Sequence, residues 1–136
     1  MLQFTLTIQK FAAPLGRFLI GILFVQAGLG KIFSYAGTAD YMVAMGVPGI
    51  LLPLVIITEL GGGLAVILGY YTRIAAFALA GFCVLTAVIF HVDFSDTMQM
   101  IMFSKNIALS GGFLILVAYG AGDFALDNRK KDSAGT

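Results

Sequence analysis

The stretch PGILLPLVIITELGGGLAVIL, residues 48–68, decides how this chain is built. Glu59 is its only ionisable group, and its length matches the ~20 apolar residues needed to cross a ~30 Å hydrocarbon core. Three more runs of the same kind follow or precede it: Phe11–Leu29, Ile74–Phe90 and Phe103–Ala121. Period-two alternation is absent from all of them, so a transmembrane β-barrel is not supported. The expected fold is an all-α membrane protein, a four-transmembrane-helix bundle.

Composition agrees. Apolar residues make up 60% of the 136 and charged residues 11%, against roughly 45–50% and about 25% in a soluble domain. So few charges cannot cover the surface of a small soluble globule. A net charge of +1 leaves no basic field for nucleic acid. The single cysteine, Cys83, excludes an internal disulfide and a dithiol pair, and it reads as packing. Arg17 interrupts the first apolar run and no small-residue cleavage site follows, so that run reads as a retained helix.

Four spans place both termini and the Gly69–Arg73 turn on one side. Lys10, Arg17, Arg73, Arg129, Lys130 and Lys131 lie there, and Lys31 and Lys105 on the other. That asymmetry predicts cytoplasmic termini. Each outer loop reads as carrying a short interfacial helix. In the first, Thr38 is the expected cap, Tyr41, Met42 and Met45 follow, and Gly46 and Pro48 stop it. In the second, Ser95 or Asp96 precedes Met98, Ile101 and Met102. Residues 1–122 thus form the membrane domain, and 123–136 a polar cytoplasmic tail that is expected to fray. A faint internal repeat aligns Leu60 to Tyr70 with Leu109 to Tyr119, and Arg73 with Arg17, as a parallel duplication of a helix pair.

Five ionisable groups lie in or beside the spans: Arg17, Lys31, Glu59, His91 and Lys105. At a span centre each costs about 2.5–3.5 kcal/mol on insertion scales, so an inward placement is favoured. Helical spacing supports this. Gly62 and Gly63 share the face of Glu59, Gly21 and Gly28 that of Arg17 and Lys31, and Ala108 and Gly112 that of Lys105. Height along the helix then suggests an Arg17–Glu59 pair, with Lys31, His91 and Lys105 as a cationic rim above it and Asn106 alongside. Plainer readings stand beside this one. Arg17 and Lys105 snorkel, Lys31 anchors a helix end, and Glu59 is a structural hydrogen-bonding residue. His91, Asp93 and Asp96 have a loose metal-ligand spacing, but too few ligands to assign a metal.

These residues resemble the DoxX family of small bacterial inner-membrane proteins. The resemblance is carried by Arg17, Gly21-Ile22-Leu23-Phe24, Gly28 and Lys31 in the first span. Further on it is carried by Tyr41 and Met45-Gly46-Val47-Pro48, then by Glu59-Leu60-Gly61-Gly62-Gly63, Gly69 and Thr72-Arg73. It ends with Lys105-Asn106 and Gly111-Gly112. The family takes its name from a subunit of an archaeal thiosulfate:quinone oxidoreductase. The resemblance implies a multi-pass inner-membrane protein in which Arg17, Lys31, Glu59, Lys105 and Asn106 are the polar signature. It also implies an association with membrane redox assemblies or quinone-like compounds.

Two function classes fit. One is a binding or redox-accessory subunit for quinone-like or small anionic molecules, with Arg17, Lys31, Glu59, His91, Lys105 and Asn106 at the site. No heme-ligand pair or dithiol is present, so the chain itself holds no cofactor, and quinone is the cofactor class implied. The other is a non-enzymatic scaffold, assembly factor or small transporter. Both carry the expectation of a homo-oligomer or a larger membrane complex in the lipid bilayer. The topology is directly checkable: reporter fusions after Arg73 and after Lys131 are both expected to read cytoplasmic, and a periplasmic signal from either overturns the charge argument.

Overall fold

The computed structural model describes residues 1–133 and Gly135. Four long apolar helices run through it: α1 (Leu2–Phe33), α3 (Gly49–Leu68), α4 (Thr72–Phe90) and α5 (Thr97–Tyr119). A short α2 (Tyr35–Ala44) fills the first long loop, and α6 (Leu126–Ser133) lies in the tail. All four expected spans are present. Their outward faces are apolar, with Leu19, Leu54, Ile57, Ile74, Phe77 and Leu114 exposed. Such a continuous apolar shell suits lipid, not water.

Glycines set the helix contacts. A Cβ on Gly21 would lie 2.8 Å from the Gly63 carbonyl, and one on Gly28 would lie 3.0 Å from the Leu60 nitrogen. The backbones of α1 and α3 therefore touch, as small-residue contacts in membranes allow. Gly62 receives Leu79 of α4. Phe24, Val66, Leu79, Cys83 and Phe113 close the core between the four helices. Ser110 joins α5 to α4 by donating to the Ala80 carbonyl at 3.1 Å.

Helix α3 is irregular along its length. It opens as a 3-10 turn at Gly49–Leu51, is α-helical over Leu52–Ile56, widens to a π-type turn at Ile57–Gly61, and resumes over Gly62–Leu68. Pro53 carries no N–H, and the Thr58 hydroxyl donates to the Leu54 carbonyl at 2.8 Å. Both disturb the regular ladder just before the wide turn. The helix ends in a Schellman motif, with Tyr70 N–H on the Ala65 carbonyl at 2.8 Å and Gly69 at φ 66°.

The loops depart from expectation in instructive ways. In α2, Thr38 is not a cap: its hydroxyl donates to the Ser34 carbonyl inside the helix. Gly46, at φ 81°, and Pro48 do end that loop helix. The second loop holds no separate helix. Asp96 caps the Met98 N–H at 2.9 Å, and with no Gly or Pro before Gly111 the helix runs straight on as α5.

The polar tail does not fray over its first turns. Asp127 accepts from the backbone N–H of Tyr71 (2.7 Å) and Thr72 (3.0 Å) and from the Thr72 hydroxyl (2.7 Å). It thereby caps the start of α4 from another helix. Phe124 stacks on Phe11 with ring centroids 5.9 Å apart.

Two arginines are used alike. Arg17 donates to the Val66 and Ile67 carbonyls, just before Gly69. Arg73 donates to the Val117 and Ala118 carbonyls, just before Gly120, at 2.8 and 2.9 Å. Both glycines have positive φ. The equivalence pairs Gly69 with Gly120, where the sequence alignment paired it with Ala118.

Two glycines two residues apart should respond oppositely to one methyl group. Gly63→Ala drives its Cβ to 2.8 Å from the Gly21 carbonyl, a backbone atom that cannot swing aside. A loss of about 1–3 kcal/mol in detergent unfolding is expected. Gly61→Ala meets nothing within 4 Å and should leave stability equal or slightly higher. Equal losses at the two positions would refute the glycine contact.

Candidate functional site

The site begins with the wide turn of α3, which carries Glu59 at its centre. One turn beyond Gly28, where α1 touches Leu60, the chain presents Lys31. Its ammonium lies 3.0 Å from Glu59 Oε1, to which it donates, and 2.8 Å from Oε2. The Oε2 contact lacks hydrogen-bond alignment, so that oxygen is held by charge alone. Glu59 is buried, at 5% exposure, while the Lys31 side chain keeps 28%.

Arg17 is therefore not the partner of Glu59. Its guanidinium is fully buried but lies at the other end of the bundle. Nη1 donates to the carbonyls of Val66 (3.4 Å) and Ile67 (2.9 Å), and Nη2 to those of Asp123 (2.8 Å) and Phe124 (2.9 Å). Residues 66 and 67 sit about 11 Å along the helix from Glu59. The crossing of α1 and α3 at Gly28 lifts Lys31 into reach and leaves Arg17 to close the helix end. Carbonyls at a helix C-terminus have no intrahelical donors and carry the negative end of the dipole, so a guanidinium there is well placed.

Beside the Lys31–Glu59 pair opens a cavity of about 650 Å³ between α3 and α4, roofed by α2. Leu51, Leu54, Val55, Phe77, Phe82, Leu85 and Ile89 make it largely apolar; Lys31, Thr58, Glu59, Thr86 and His91, with Thr38 and Tyr41 of α2, are its polar residues. Gly81 lies on its floor, with open space where a Cβ would be. From Phe77 to His91 the groove follows α4 for about 21 Å. Tyr41 of α2 stacks on Phe90 across the top, ring centroids 5.6 Å apart.

Of the six residues singled out in the sequence, Lys31, Glu59 and His91 line this groove. His91 Nδ1 lies 3.0 Å from Gln99 Oε1. Lys105 does not join the rim: its side chain is exposed and does not line the groove. Asn106 is buried, but its amide donates back to the Met102 carbonyl at 2.9 Å. The loop acids fold onto neither lysine. Asp93 accepts from the Ser95 hydroxyl and N–H, which hold its carboxyl below the usual carboxylate range, and Asp96 caps α5. His91, Asp93 and Asp96 thus face three different partners. Thr58, Gly81 and Thr86 belong to the groove and were not picked out from the sequence, and Tyr41 was read there as a loop-helix residue and not as part of a site. Thr58 adjoins Glu59 in the chain, and that adjacency was the one available signal.

A family model for DoxX matches residues 12–92, which include α2, α3, α4 and the Lys31–Glu59 pair. The chain belongs to the DoxX family. It is 52% identical over 120 residues to inner membrane protein YqjF of Escherichia coli strain K12, covering 88% of this chain and 92% of that one. It is 31% identical over 122 residues to inner membrane protein YphA of the same organism, covering 85% and 87%. No solved structure matches. This DoxX-family chain is an integral protein of the inner membrane.

Removing one member of a buried ion pair strands the other, at about 3–5 kcal/mol. Lys31→Met and Glu59→Gln should each lower stability in detergent unfolding, and the double variant should recover part of the loss. The expected coupling is about 1–3 kcal/mol. Arg17→Met combined with Glu59→Gln should instead be additive to within about 0.5 kcal/mol. Coupling of Glu59 to Arg17 and not to Lys31 would reverse the assignment.

Proposed function

We propose that this DoxX-family protein binds a lipid-soluble molecule with a neutral, oxygen-bearing headgroup of the quinone class. The groove between α3 and α4 is the binding site, and the chain serves as a binding or redox-accessory subunit. The carrying observation is the Lys31–Glu59 pair at the polar end of an otherwise apolar groove. The groove volume of about 650 Å³ lies within the range of small-molecule sites, roughly 300–1,000 Å³. Lys31 has three N–H donors and gives one to Glu59, which leaves donors for a carbonyl oxygen. Glu59 already balances the charge of Lys31, and this argues against an anionic ligand. The open flank of the groove faces lipid, so entry is lateral, from within the bilayer.

The Lys/Arg asymmetry supports cytoplasmic termini, an orientation in which the Tyr41–Phe90 roof is periplasmic. In this reading Arg17, Lys105 and Asn106 do not touch the ligand. Arg17 holds the helix ends, and Lys105 is exposed outside the groove.

The test is equilibrium binding of a decyl-substituted benzoquinone to the full chain in nanodiscs. Saturable binding is expected. Gly81→Leu fills the groove without meeting other atoms at its Cβ and should abolish binding while leaving the fold intact. Lys31→Met should weaken binding about tenfold or more, the scale of one charge-assisted hydrogen bond. Lys105→Ala should bind like wild type. Equal binding by wild type and Gly81→Leu would overturn the proposal and leave the scaffold reading.

A further inference from the structure

Gln26 has no part in the groove, the arginine clamps or the core. It lies on the outward face of α1 among Leu15, Leu19, Leu23, Leu29 and Phe33, all of them exposed. Gly21, Phe24 and Gly28 form the opposite, buried stripe against α3. The Gln26 amide has no hydrogen-bond partner among the described residues. It lies near the mid-height of α3. Gly28, two residues on, is packed against Leu60 inside α3. Arg17 lies about 13 Å away along the helix on one side and Phe33 about 10 Å on the other. A lysine can snorkel part of such a distance; a glutamine cannot.

An amide carries two donors and a two-lone-pair acceptor, and hydrocarbon satisfies none of them. We propose that this face of α1 is the contact between two copies of the chain in the bilayer, on a two-fold axis passing through Gln26. The choice of occupant follows from the chemistry. A primary amide is its own complement: the NH2 of one copy donates to the carbonyl of the other, and the reverse. An isologous interface requires that property, because the same patch meets itself. A face centred on an acid or a base would call for a different partner. Gly30, one turn from Gln26, has open space where a Cβ would project, so the two backbones can approach there. The face points away from α3 and α4, and the dimer leaves the groove open to lipid.

The full chain, labelled and reconstituted in liposomes, is followed by resonance energy transfer as lipid dilutes it. Wild type is expected to form a dimer that dissociates on dilution. Gln26→Leu should shift that equilibrium toward monomer by roughly three- to twentyfold, the range for interhelical side-chain hydrogen bonds. Gln26→Asn, which keeps an amide, should fall between. All three should unfold alike, since the side chain supports nothing within one copy. In a Cys83→Ser background, Leu23→Cys should cross-link two copies, whereas Ile115→Cys on the outer face of α5 should not. Wild type that stays monomeric throughout, Gln26→Leu as dimeric as wild type, or cross-linking through Ile115→Cys alone would each overturn the proposal.

Discussion

The direct backbone contact of α1 with α3, at Gly21 against Gly63 and Gly28 against Leu60, sets the relative height of Arg17, Lys31 and Glu59. Two helices that meet at glycines have little freedom to slide. Their crossing brings Lys31 level with Glu59 and Arg17 level with the end of α3. The ion pair, the groove beside it and the clamp at the far end all follow from that register. A side chain at either contact would force the helices apart and separate charges that lipid cannot stabilise singly.

At the termini side, the structure solves a general problem of membrane helices. The last carbonyls of a helix have no intrahelical donor, and in or near hydrocarbon they cannot rely on water. Arg17 and Arg73 supply donors to the ends of α3 and α5 in the same way, each beside a glycine of positive φ. Gly69 serves doubly. A side chain there would be strained at φ 66° and would also meet the Arg17 guanidinium, 2.6 Å from an ideal Cβ. Arg17 then reaches the Asp123 and Phe124 carbonyls, and Asp127 caps α4. Through these contacts the polar tail becomes part of the packed structure.

The spans were legible because apolar length is a direct consequence of bilayer thickness, and Glu59 was placed inward because a lone carboxylate in lipid is too costly. Its partner was not legible. Counting residues gives height along one helix, but the relative height of two helices depends on where they cross, and the glycines that mark a contact do not say what they face. Lys105 and Asn106 lie off the groove for a related reason. Ala108 and Gly112 were taken to mark the face of Lys105; Gly112 does approach Ile20 of α1, but Lys105 and Ala108 are exposed. Small residues occur on outward surfaces as well. The docking of the tail was hidden from composition because Asp127 finds its partner 55 residues back along the chain.

The wide turn at Ile57–Gly61 amounts to one residue more than a regular helix would hold at that point. Each residue of an α-helix advances the side-chain direction by about 100°. Wound as a regular α-helix with every residue kept, this stretch would rotate the two halves of α3 against each other by about that angle. Glu59 would then no longer share a bearing with both Lys31 on one side and the groove on the other. The irregularity is thus a phase adjuster: it lets one helix present its glycines to α1 below and its carboxylate to the groove above. Insertions and deletions in this stretch would alter chemistry even where they preserve hydropathy and length enough to span the bilayer.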